Sequence, residues 1–140
     1  MMLLLDTNVV SELRKAPAGR ADLNVVAWSA SLDPATLFIS AITVLELDLG
    51  VRRIERRDAQ QGALLRDWLE RRVLTGFAGR VLAVDTAVAR RCAALHVPDP
   101  RPDRDAMIAA TALVHGLTLA TRNTRDFAGI DIALVDPWAA

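Results

Sequence analysis

The 140-residue sequence predicts a three-layer α/β fold, with a mostly parallel sheet held between helices. Two observations lead there. Five short apolar runs (Leu3–Leu5, Leu37–Ile39, Val81–Val84, Leu117–Ala120 and Ile132–Val135) have strand length and lack polar alternation, as strands buried on both faces do. Segments with helical spacing of apolar residues fill the gaps between them. The chain is one domain's worth in length and shows no repeat, low-complexity tract or interdomain linker, so residues 1–140 read as a single domain.

Each element has its own justification. Leu3–Leu5 runs into Asp6, after which Thr7 and Asn8 open a first helix. Lys15–Arg20 reads as a loop, and Ala21–Ser31 as a helix carrying Val25, Val26 and Trp28. Ser40 closes the second strand ahead of a helix over Ile42–Ile54, whose apolar residues are Ile42, Leu45, Leu49 and Ile54. Asp58–Leu74 follows, with Trp68, Leu69 and Val73 fitting either the core or an interface. Asp85 and Thr86 offer N-caps for a helix over Thr86–His96. Pro98, Pro100 and Pro102 mark Val97–Arg104 as a loop, and Asp105–His115 is a helix stopped by Gly116.

Composition narrows the function. Lys+Arg and Asp+Glu both number 17, so bulk charge favours neither a nucleic-acid nor a membrane partner, and a polyanion would need a local patch. All the basic residues but Lys15 are arginine, which suits bidentate phosphate contacts but fits codon bias equally well. The single cysteine, Cys92, excludes an internal disulfide, and with only His96 and His115 as other soft ligands a zinc site is not expected. No apolar stretch approaches the roughly 18 residues of a membrane span, and no basic segment precedes the first apolar run, so a soluble cytoplasmic protein is expected.

The acids carry the chemistry. In such folds ligands bind at the carboxyl ends of the strands, near a topological switch point. Asp6 directly follows the first strand, Asn123 and Asp126 follow the fourth, and Asp103 and Asp105 begin the last long helix. Glu46 shares a helix face with Ile42 and Leu49, where a carboxylate needs either an arginine partner, such as Arg52 or Arg53, or a metal. Each acid alone also has a capping or solvated-face reading, and Glu12 reads as a first-turn acid favoured by the helix dipole. Together, Asp6, Glu46 and Asp105 come from three distant segments and can meet at one rim. Two carboxylates about 4 Å apart repel by roughly 4 kcal/mol at an effective dielectric near 20, so a cluster calls for a cation. Oxygen ligands without histidine or cysteine point to Mg²⁺ or Mn²⁺, and such sites chiefly serve phosphoryl chemistry. Arg14, Arg104, Arg122 and Arg125 lie near this rim in sequence and are candidates for phosphate contacts. Aromatic residues make up only 4% of the chain, so stacking platforms for bases are expected to be sparse.

The segments DTNVVSEL, ISAITVLELDLGV, RDAMIAATALVHGLTLATRNTRDF and VDPW, in that order, resemble PIN-domain ribonucleases. Within these the chain is most similar to the VapC toxins of bacterial toxin–antitoxin pairs, in the FitB-like branch. The resemblance implies a parallel sheet of about five strands and Mg²⁺-dependent endonucleolytic cleavage of RNA, with Mn²⁺ as the other candidate ion. It implies that Asp6, Glu46 and Asp105 are metal-binding acids, and that Asn123 stands where many family members carry a fourth acid. Asp103 or Asp126 could substitute for that acid, and Asn8 and Ser11 are further candidates for accessory roles. The implied partners are a small antitoxin whose tail covers the site and a second copy of the chain. A dehalogenase-type phosphatase would need an acid at position 8, occupied by Asn8, and a receiver domain a late lysine that the chain lacks. The alternative left open by Asn123 is an inactive PIN domain that only binds antitoxin or RNA.

Overall fold

The computed structural model describes residues 1–139. Five parallel strands form one sheet: β1 (Leu3–Leu5), β2 (Leu37–Ser40), β3 (Val81–Leu82), β4 (Thr118–Ala120) and β5 (Leu134–Val135), in the order β3-β2-β1-β4-β5. The helices are α1 (Thr7–Leu13), α2 (Leu23–Ala30), α3 (Ala41–Arg57), α4 (Ala59–Trp68), α5 (Thr86–Leu95) and α6 (Asp103–His115). The chain builds outward from β1 through β2 to β3, then returns through α5 and α6 to lay β4 on the other side of β1. The strand order therefore reverses between β1 and β4, which is the switch point where such sheets open a crevice.

The leucines of β1 explain the layering. All three are buried, and successive side chains leave opposite faces of the sheet. Leu3 and Leu5 pack with Val9 and Val10 of α1, Leu47 and Val51 of α3, and Leu69 and Val73. Leu4 packs on the opposite face with Ile108, Ala109 and Ala112 of α6, Leu119 and Phe127. Burying one such leucine contributes about 1.5–3 kcal/mol, and a central strand buried on both faces has no room for a polar residue until it ends. It ends at Asp6.

The predicted elements are all present, with several corrected details. The edge strands β3 and β5 are shorter than the apolar runs that announce them, because each has a pairing partner on one side only. Leu117 is not part of β4, since its N–H donates to Ala112 O at 2.9 Å and closes the end of α6 instead. The buried stripe of α3 is Ile42, Thr43, Leu47 and Val51, not Ile42, Leu45 and Leu49. Leu45 is 46% exposed, and the polar Thr43 masked the true stripe in the sequence. Beyond Trp68 the expected long helix widens into a π-helical turn, Leu69–Leu74. Leu69 and Val73 are core, so they are not available to an interface, and Leu45 and Leu64 are the exposed leucines of this helix pair. Glu12 lies in the last turn of α1, not its first. It is held there by Lys15 Nζ at 2.8 Å and by the Asp22 N–H at 2.8 Å, which ties α1 to the start of α2.

One junction fixes α3 against α4. Asp58 donates its N–H to Ile54 O at 2.8 Å, closing α3, and its carboxylate accepts from the Gln61 N–H at 3.1 Å, opening α4. Gly62 then lies so close to α3 that a Cβ there would stand 2.5 Å from Glu55 Cα. Gly62→Ala gains helix propensity but must push the two helices apart, so we expect a net loss of about 1–3 kcal/mol. Urea denaturation checks this; a midpoint at or above that of the unsubstituted chain would show that the hairpin has slack.

Candidate metal centre

Asp6 is placed by three hydrogen bonds that follow from where β1 stops. Its N–H continues the ladder to Ala120 O at 2.9 Å. Its carboxylate then caps α1, accepting from the Thr7 N–H at 2.8 Å through Oδ1. Oδ2 accepts from the Thr121 hydroxyl at 2.8 Å, across the switch point. The pairing register explains Thr121: Leu5 faces Ala120, so the next residue of each strand meets its counterpart. Sequence reasoning passed over Thr121, although its position directly after a strand matches that of Asp6. Asn8 lies 3.4 Å from both Asp6 Oδ2 and Thr121 Oγ1 through Nδ2, and accepts from the Arg122 N–H at 3.3 Å. The Asn8 amide thus orients Asp6 and ties α1 to the loop after β4.

Glu46 reaches the same place from α3. Thr7 Oγ1 donates to Glu46 Oε1 at 2.7 Å and lies 3.0 Å from the hydroxyl of buried Thr43. The expected arginine partners are corrected: Arg52 pairs with Asp48 at 3.0 Å, and it is Arg104 of α6 that stands 3.9 Å from Glu46 Oε2. At that separation and with both side chains partly exposed, the pair is weak. It sets Arg104 beside the rim acid.

Asp6, Glu46, Asp105 and Asn123 line one pocket of about 520 Å³, together with Thr7, Asn8, Ser11, Glu12, Arg14, Lys15, Arg122 and Trp138. Asp105 stands on the first turn of α6 beside Asp103, with Pro102 rather than an acid as the cap. Asp103 turns away, 84% exposed and 3.6 Å from His96 Nε2, and so does not replace the missing fourth acid. Asp126 and Arg125 lie in the short turn Thr124–Phe127, outside the pocket wall. Asn123 lines the pocket and its N–H donates to Thr121 Oγ1 at 3.1 Å. Thr7, Glu12, Lys15 and Trp138 are the wall residues that the sequence did not mark as site candidates; VDPW gave the only hint of the last.

The electrostatics show that the acids sense one another. Burial pushes the Asp6 carboxyl above its ordinary value; the Thr121 and Thr7 hydrogen bonds oppose this, and the charges of Glu46 and Asp126 add to it. Burial also raises Asp105, followed by the charges of Asp6, Asp126 and Glu46. Among the described residues no three Asp, Glu, His or Cys side chains already close around a single ion position. Asp6 and Glu46 are instead engaged by Thr7, Thr121 and Arg104. The donor set still suits a hard divalent cation, being three carboxylates and an amide, with two of the carboxylates destabilised by burial and then by their neighbours' charge.

The chain matches the PIN domain over residues 3–133. It belongs to the PIN-domain family. This PIN domain is 43% identical to Toxin FitB of Neisseria gonorrhoeae, over 98% of its own length and 99% of the relative's. It is 38% identical to VapC ribonuclease Y4jK of Sinorhizobium fredii, over 98% of each chain. The crystal structure of FitAcB from Neisseria gonorrhoeae contains a chain with the same fold, at a TM-score of 0.87 and 40% identity, covering 99% of this chain and 100% of that one. The family and the α/β fold expected from the sequence are thereby established.

The raised carboxyls set a pH dependence. The folded chain binds the Asp6 and Asp105 protons more tightly than the unfolded chain does, so stability falls as pH rises from about the ordinary value of 3.8 through the raised ones. Above them the penalty is present in full. In metal-free buffer at pH 7, Asp6→Asn is expected to melt above the unsubstituted protein, with the gap closing as pH falls toward 4. Asn can still accept from Thr7 and donate to Thr121. Thermal scans across that pH range check this, and a lower melting point for the variant at pH 7 would contradict it.

Proposed function

We propose that this PIN domain is a divalent-metal-dependent endoribonuclease, the toxin of a toxin–antitoxin pair acting in the cytoplasm. The observation that carries the reading is the pocket at the β1/β4 switch point. There Asp6 and Asp105 are held above the ordinary carboxyl value, by burial first and then by nearby acidic charge, and they share the pocket with Glu46, Arg14, Lys15 and Arg122. The names of the relatives, a toxin and a ribonuclease, support the same assignment.

In this reading Asp6, Glu46 and Asp105 hold Mg²⁺ or Mn²⁺, and Asn123 offers a neutral oxygen where a fourth charge is lacking. A bound divalent cation supplies charge stabilisation at a phosphodiester and a lowered pKa for water. Thr7, Asn8 and Thr121 keep the carboxylates aimed at the pocket, and Ser11 lines it one helical turn beyond Asn8. Glu46 also orients the attacking water. Arg14 and Arg122, and Lys15 when released from Glu12, hold the phosphates on either side of the scissile bond. An antitoxin tail laid across the same pocket would shield the acids and the basic wall at once, and the toxin itself pairs with a second copy. The second reading, a module that binds antitoxin or RNA without turnover, is favoured by one observation: Asn123 removes a charge from the donor set.

The test is cleavage of structured RNA by the protein freed of any antitoxin, with Mg²⁺, Mn²⁺ or chelator. Cleavage is expected only with metal, and Asp6→Asn, Glu46→Gln and Asp105→Asn should each lower the rate about a hundredfold or more, the loss of several kcal/mol of transition-state stabilisation. Folded protein that binds RNA but never cuts it would establish the second reading. Asn123→Asp should lower the Mg²⁺ concentration that gives half-maximal cleavage; an unchanged metal titration would place Asn123 outside the donor set.

A further inference from the structure

The pocket wall carries one residue, Trp138, that neither metal binding nor phosphate contact uses. The Arg122 guanidinium carbon lies 5.2 Å from the centre of the Trp138 indole, within stacking range, and both side chains line the pocket that holds Asp6, Glu46 and Asp105. The backbone that carries the ring is held on both sides: the Trp138 backbone N–H donates to Asp136 Oδ1 at 2.9 Å, and its carbonyl accepts from Asn24 Nδ2 at 2.7 Å. Pro137 is buried beside it, and β5, just before it, is tied to the site because Thr121 donates its N–H to Val135 O at 3.0 Å. The indole remains partly exposed although its backbone is pinned at both ends. Arg122 is anchored in turn through the bond from its N–H to Asn8 Oδ1. Two flat groups thus meet in the same pocket as the acids, each on a hydrogen-bonded backbone, in a chain with only three tryptophans and no tyrosine.

We propose that the Arg122–Trp138 stack is a shelf for one unpaired base of the RNA, the base next to the phosphate presented to the acids. The proposal rests on the nuclease reading. Unpaired bases are recognised by stacking on aromatic rings and on guanidinium planes, which tolerates any base and leaves its edges free. The shelf makes the enzyme require an unstacked nucleotide, in a loop, a bulge or a single strand, because a base held in a duplex has no free face to offer. It revises the sequence-based expectation that stacking platforms are sparse: one is enough when it stands beside the reacting phosphate. Trp138 is a specificity-determining residue in this account, with Arg122 completing the surface and contributing charge.

Two measurements on the full chain test this. The first is the steady-state kinetics of cleavage of a single-stranded oligoribonucleotide with Mg²⁺. Trp138→Ala is expected to raise KM about tenfold with kcat within about twofold, while Trp138→Phe, which keeps a ring in the same packing, stays near the unsubstituted value. The second is fluorescence in chelator, using a Trp28→Phe/Trp68→Phe variant in which Trp138 is the sole emitter. A single-stranded oligoribonucleotide should quench it saturably, and an abasic strand of the same length should not. If the protein cuts RNA but Trp138→Ala leaves KM unchanged, or the abasic strand quenches equally, the shelf is overturned and the nuclease reading stands. If the protein does not cut RNA but base-dependent quenching is seen, the shelf stands and the nuclease reading fails.

Discussion

The hydrogen bond from Thr121 to the Asp6 carboxylate holds the site together. It spans the gap between β1 and β4, where the sheet reverses its order, and it joins residues 115 apart in the chain. Asp6 cannot retreat from this position. Behind it are three leucines buried on both faces of the sheet, and ahead of it is a helix it must cap. A carboxylate held at 6% exposure resists ionisation, and the nearby charges of Glu46 and Asp126 deepen the cost. The fold tolerates this because the hydrophobic burial on either side of β1 exceeds it. Thr7, Asn8, Glu46 and Arg122 are all positioned, directly or through one intermediary, by what Asp6 accepts.

The chain is neutral as a whole and polarised locally. The pocket sets acids from the end of β1, from α3 and from α6 against bases just after α1 and just after β4. Elsewhere charge is spent on structure. Arg66 of α4 bonds Asp48 and Glu55 of α3 at 3.1 and 2.9 Å, so the helix pair that presents Glu46 is laced by ions as well as by close packing. Net charge therefore said nothing useful about a polyanionic partner, because the relevant field is that of one pocket.

Most of the fold was legible because a parallel sheet buried on both faces writes continuous apolar runs, and every strand followed one. Local capping rules placed the helix ends well, as with Gly116, whose φ of 65° stops α6. What was illegible depended on which face of a helix meets a neighbour. Thr43 looks polar and is fully buried, Leu45 looks apolar and is exposed, and only the packing of α3 between sheet and α4 decides between them. Asp6 and Asp105 were legible because they stand at a strand end and in a first helical turn, and Glu46 because it is a carboxylate among the apolar residues of α3. Thr121 and Trp138 were not, because their roles come from pairing register and from a turn near the chain's end rather than from any local pattern. Arg104 was expected near the rim, but nothing in the sequence says that α6 brings it to Glu46.

The reach of the Asp6–Thr121 bond has a consequence for how the pocket comes together. Its two ends lie 115 residues apart, and Trp138 of the wall lies farther still from Asp6 along the chain. Contacts of such sequence separation carry a loop-closure cost that local helical contacts do not, so the crevice is complete only once β4 has paired beside β1.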